Sequence, residues 1–95
     1  MSVSVVVQFK ALPTSLASFQ NIMETVKIDL PTIPGCRGVS VMQDLEDSCR
    51  FTLVEVWESQ ARHAAHVEGL IADGTSASIA AHLDMQPSSG YFRTL

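Results

Sequence analysis

Two histidines one helical turn apart, His63 and His66, follow shortly after the chain's one tryptophan, Trp57. Imidazole, with an unperturbed pKa of about 6.5, is the side chain best placed to take up or return a proton near neutrality. A phenol or quinol that loses its proton becomes electron-rich enough to pass an electron to dioxygen. The protein's part in such a reaction is limited to excluding water, holding the ring and offering a base. His66 and His63 are therefore candidate bases and Trp57 a candidate pocket wall, with Phe9, Phe51 and Leu53 as apolar contacts for an aromatic ring. Each has a plainer role available: Trp57 as core or interface packing, either histidine as a half-exposed helix residue. A histidine pair at this spacing can also ligate a metal, but no third histidine or paired carboxylate stands nearby, so no metal is expected. There is no G-x-G-x-x-G after a strand and no clustered Cys/His site, and no cofactor is expected either.

The elements that must position these residues can be read from spacing. Phe51 to Trp57 is a strand with Phe51, Leu53, Glu55 and Trp57 on one face and Thr52, Val54 and Val56 on the other. Apolar residues on both faces mark it as central and covered twice. Ser59 is a suitable N-cap for the histidine-bearing helix, whose bulky stripe (His63, His66, Val67, Leu70), rather than its alanines, is expected to face the sheet. Glu55 stands out, because an unpaired buried carboxylate is costly. It is expected to pair across the sheet or a subunit boundary, with Arg93 or Arg50, while Tyr91 and Arg93 reach a partner subunit.

Upstream, Val3 to Lys10 alternates as a strand with Val3, Val5, Val7 and Phe9 on one face. Pro13-Thr14-Ser15 opens a helix with an apolar stripe of Leu16, Phe19, Met23, Val26 and Leu30, stopped by Pro31. Gly38 to Asp44 reads as a peripheral strand, and Asp44 to Ser48 as the turn of a hairpin. Asp73-Gly74-Thr75 breaks the second helix and caps a further short one running up to Pro87. Ser88-Ser89-Gly90 reads as a turn before a last strand, Tyr91 to Leu95. The order strand, helix, strand, strand, helix, strand predicts an α+β, ferredoxin-like βαββαβ fold, an antiparallel sheet with helices on one face.

The 95 residues suffice for a single domain, 1–95, which buries only roughly 60 to 65% of its unfolded surface. A hydrophobic fraction of 46% exceeds what so small a monomer needs. The second sheet face is too apolar for water, so a homodimer is expected, closing a dimeric α+β barrel. Ten acids against six scattered bases give a net charge of −4 and no basic face, which argues against nucleic acid. No signal-like leader or run of about 18 apolar residues is present, so a soluble cytoplasmic protein without membrane contact is expected, with Cys36 and Cys49 as thiols.

The run Leu53 to His66, LVEVWESQARHAAH, with Pro34-Gly35-Cys36-Arg37-Gly38 upstream, resembles the antibiotic biosynthesis monooxygenase family of dimeric α+β barrels. Its most specific element is the strand ending Glu-x-Trp-Glu-Ser with a histidine nine residues after the tryptophan. The resemblance implies a dimer and, in part of the family, cofactor-independent oxygenation of aromatic polyketides or quinols. Trp57 matches the pocket tryptophan of the polyketide-oxidising members and His63 falls where they carry a tyrosine, but Leu53 replaces their asparagine and Ala77 their helical arginine. Haem-degrading members need a strand asparagine and a helical histidine, where this chain has Phe9 and about Ser76; His82 substitutes only if the register slips. His66 matches the histidine of the quinol monooxygenase-like branch. The implied function is cofactor-independent monooxygenation of a small electron-rich aromatic by dioxygen. The alternative is a non-catalytic barrel of the same shape that binds a small ligand or supports a pathway partner.

Overall fold

The computed structural model describes residues 2–95. In chain order its elements are β1 (Val3–Lys10), α1 (Leu16–Asp29), β2 (Cys36–Gln43), β3 (Arg50–Trp57), α2 (Gln60–Ala72), α3 (Thr75–Ala80) and β4 (Ser88–Phe92). The strands form one antiparallel sheet in the order β2-β3-β1-β4, a ferredoxin-like arrangement with β3 and β1 in the centre.

Residues opposed across an antiparallel pair share a face. The registers Val5↔Glu55, Val7↔Leu53, Phe9↔Phe51 and Val5↔Tyr91 therefore gather these side chains on one side of the sheet. The helices cover that side. Ala11, Phe19, Met23 and Phe51 form one buried group, and Val5, Leu30 and Trp57 a second. Phe19 of α1 packs between Phe9 and Phe51, at ring-centroid distances of 5.4 and 5.1 Å. The stripe predicted for α1 is the buried one, and the helix gives way to a 3-10 turn at Leu30–Thr32, where Pro31 cannot continue it. The opposite face of the sheet carries Val6, Val54 and Val56, with Met42 and Phe92 at 52% and 57% exposure, and among the described residues no helix lies over it.

Three boundaries differ from the sequence reading. β2 starts at Cys36 rather than Gly38, because a bulge between Cys36 and Gly38 takes Arg37 out of register and breaks the alternation there. α3 ends at Ala80 instead of running to Pro87. The backbone beyond it is claimed by the end of β1: Leu12 N–H donates to His82 O, Asp84 N–H to Lys10 O, and Leu83 bridges Ala11. The last strand is Ser88–Phe92, not Tyr91–Leu95. The register that sets Ser4 opposite Phe92 reaches the start of β1 one residue later, so nothing remains for the final residues to pair with.

Candidate active site

The turn from β3 into α2 decides where both histidines stand. Ser59 is extended (φ −156°, ψ 161°), and its Oγ accepts from Arg62 N–H at 3.2 Å, satisfying one donor of the first turn. The Pro34-Gly35 loop braces the same turn: Gly35 O accepts from Glu58 N–H at 2.7 Å, with Gly35 in the left-handed region at φ 93°. A Cβ there would sit 3.0 Å from Arg62 Cβ, so only glycine allows this approach. So started, α2 turns His63, His66, Val67 and Leu70 toward the sheet and leaves Ala61, Ala64, Ala65 and Ala72 exposed, as predicted.

The inward side chains of α2 do not fill the space beneath it, and a cavity of about 550 Å³ remains between helices and sheet. Its floor is Val7, Phe9, Leu53 and Glu55, and α1 closes one side with Met23, Val26 and Leu30. His63, His66 and Leu70 form the roof, and the segment after α3, Leu83 to Pro87, closes an end. A second hollow of about 540 Å³ between α1 and the α2–α3 turn shares His66, Val26 and Leu30 with the first. These volumes fall in the range of ordinary small-molecule sites.

The polar groups of the floor and roof touch one another. Glu55 is 6% exposed, and its Oε1 accepts from Trp57 Nε1–H at 2.7 Å. His63 Nε2 lies 4.0 Å from the same oxygen, and His63 Nδ1 is 2.8 Å from Tyr91 Oη. An ionised Glu55 favours the tautomer with hydrogen on Nε2, leaving Nδ1 to accept from the tyrosine hydroxyl. Trp57, fully buried, meets His63 edge-on at 5.6 Å and His66 at 5.2 Å. Burial pushes the Glu55 carboxyl above its ordinary range, partly offset by the indole hydrogen bond and by His66. Burial also holds both imidazoles below theirs, with Glu55 pulling His66 part of the way back. At neutral pH both imidazoles are therefore uncharged.

Of the residues singled out from the sequence, His63, His66, Phe9 and Leu53 line the cavity. Trp57 stands behind the imidazoles and holds Glu55, while Phe51 lies in the core against Phe19, outside the cavity wall. One expected partnership is replaced within the chain. Glu55 does not pair with Arg50 or Arg93: Arg50, an odd number of residues away and so on the other face, binds Asp47 at 3.3 Å, and Arg93 lies beyond β4. Tyr91 meets His63 of its own chain. Tyr91 and the Leu83 to Pro87 wall were not legible as site residues, since both depend on the register of β4. The spacing of Glu55 and Trp57, two apart on one strand face, was a visible signal for their bond. Among the described residues no three His, Cys, Asp or Glu side chains converge as metal ligands, and both cysteines are free thiols.

Residues 2–71 match the family model described as antibiotic biosynthesis monooxygenase. Among curated proteins there is no significant match. Solved structures share the fold at low identity. A conserved protein from Methanosarcina mazei Go1 is 19% identical with a TM-score of 0.86, over 100% of this chain and 94% of that one. Rv0793 from Mycobacterium tuberculosis is 15% identical with a TM-score of 0.85, over 100% and 96%. A variant of SnoaB, a cofactor-independent oxygenase from Streptomyces nogalater, is 14% identical with a TM-score of 0.81, over 98% and 92%.

Proposed function

The chain belongs to the antibiotic biosynthesis monooxygenase family, and from that premise we propose that it is a cofactor-independent monooxygenase of a small electron-rich aromatic such as a quinol, anthrone or polyketide phenol. The observation that carries the reading is the apolar-walled cavity of about 550 Å³ with two imidazoles in its roof. Phe9 and Leu53 hold the ring, and Phe51 supports Phe9 through Phe19. His66 and His63 assist removal of the hydroxyl proton, and Trp57 fixes both rings from behind. The substrate anion then gives an electron to dioxygen; one oxygen atom ends in the product and the other in water. For a hydroquinone the balance is quinol plus dioxygen to hydroxyquinone plus water, with the substrate supplying all the electrons.

The working form is a homodimer that covers the bare sheet face, in the cytoplasm, where Cys36 and Cys49 stay reduced. The second reading, a binding barrel without chemistry, draws support from Leu53 and Ala77, where polyketide-oxidising members carry polar groups. Oxygen uptake separates the two. Protein free of added metal and flavin is expected to consume oxygen with at least one quinol, anthrone or flavonoid-like phenol, and a His63→Ala, His66→Ala pair to lose most of that rate. Ligand binding without oxygen uptake across the panel would favour the binding barrel.

A further inference from the structure

We propose that Glu55 is a further catalytic residue: its second carboxylate oxygen, Oε2, accepts the hydrogen of the substrate's hydroxyl group while Trp57 anchors the first. The inference rests on the reading that the cavity takes a hydroxylated ring, and it adds the atom that receives the proton and the ligand charge the site selects.

Glu55 lies in the cavity floor with 6% of its surface exposed. Its Oε1 is engaged by the indole at 2.7 Å and faces His63 Nε2 at 4.0 Å. No buried side-chain oxygen or nitrogen among the described residues lacks a partner, so Oε2, which takes no such bond, opens onto the cavity. His63 Nδ1 is already engaged by Tyr91, and its Nε2 lies 4.0 Å from the carboxylate. Around the carboxyl stand His63 and His66 from α2, Tyr91 from β4 and Cys36 from β2; α1 offers only apolar side chains. Among the described residues no lysine or arginine lines the cavity, and its other carboxyl group, Asp84, is acidic as well. A buried carboxylate with no cation draws its strongest available bond from a neutral hydroxyl brought by the ligand. Burial also lifts this carboxyl toward neutrality, which suits a base.

In the step itself the substrate O–H bond breaks, its electron pair stays on the oxygen as phenolate, and the proton bonds to Oε2. The carboxylate becomes a carboxylic acid and nothing is oxidised. The same negative charge turns away rings that carry a carboxylate.

Anaerobic titrations read by the fluorescence of Trp57 test this with 1-naphthol, its methyl ether and 1-naphthoate. Without oxygen there is no turnover, so the outcome stands apart from whether the oxygenase reading holds. The wild type is expected to bind naphthol about tenfold or more tighter than the ether, the size of a hydrogen bond to a charged acceptor, and naphthoate weakest. Glu55→Gln brings naphthol and ether together and narrows the gap to naphthoate. Glu55→Asp, which withdraws the carboxylate, keeps the rejection of naphthoate and loses the preference for the hydroxyl; it decides the matter if Glu55→Gln fails to fold. Absence of naphthol binding, equal binding of naphthol and ether by the wild type, or a preference that survives Glu55→Gln would overturn the proposal.

Discussion

The indole of Trp57 uses its single donor on a carboxylate, and that one bond links the buried core to the cavity. Trp57→Phe keeps most of the packing and removes the donor, leaving Glu55 Oε1 without a partner. The loss is expected to cost about 1–3 kcal/mol of stability and to raise the Glu55 carboxyl further, since the indole bond is the larger of the two influences that lower it. A thermal melt and a carboxyl titration by NMR would check both. The pH dependence of folding separates the carboxyl from the imidazoles. Glu55 is held above its ordinary 4.5, so its contribution to stability is full below that pH and is lost as pH rises through the raised folded value. His63 and His66 are held below 6.5, so theirs is full above 6.5 and lost as pH falls through the lowered values. Melting temperature against pH is expected to lose the first decline in Glu55→Gln and the second in His63→Gln, His66→Gln. The histidines and Trp57 were legible because their types and spacing advertise chemistry. The partners of Glu55 were not read, although Trp57 two residues on shares its face, because a charge on an apolar strand face calls for compensation without saying that an indole supplies it.

At the scale of elements, alternation and helical stripes placed β1, α1, β3 and α2 correctly, since each buries one face and so writes a period into the sequence. The segment from α3 to β4 carries no such period. Its position is set by backbone hydrogen bonds to residues 10–12 and by pairing with β1, neither of which leaves a mark on residue types. That segment also closes one end of the cavity, so this part of the site stayed hidden together with that part of the fold. The start of α2 rests on two local devices. Ser59→Ala is expected to lower stability by about 1 kcal/mol through loss of the cap, a fall of roughly 4–8 °C in Tm. Gly35→Ala is expected to cost more than Ser59→Ala, because it adds left-handed strain to the contact with Arg62 Cβ. Calorimetry on the two variants gives the ranking.

The whole molecule presents a sheet with one face under helices and the other bare. Val6, Val54, Val56, Met42 and Phe92 on the bare face are too apolar to be left in water at no cost. A second copy packed there would account for a hydrophobic fraction of 46% in so short a chain. Light scattering at micromolar concentration is expected to return twice the chain mass of 10.3 kDa, and Val54→Glu to shift it toward the monomer; a monomeric wild type would contradict the assembly. The cavity itself is lined by elements of one chain, so the chemistry and the assembly are open to separate tests. Isotope labelling reaches the central claim most directly. A quinol or anthrone is turned over under oxygen-18 gas by protein free of metal and flavin, and the product is weighed by mass spectrometry. One heavy oxygen atom in the product, formed faster than in a blank without protein, is the predicted result; an unlabelled product, or a rate no greater than the blank across the substrate panel, would contradict it.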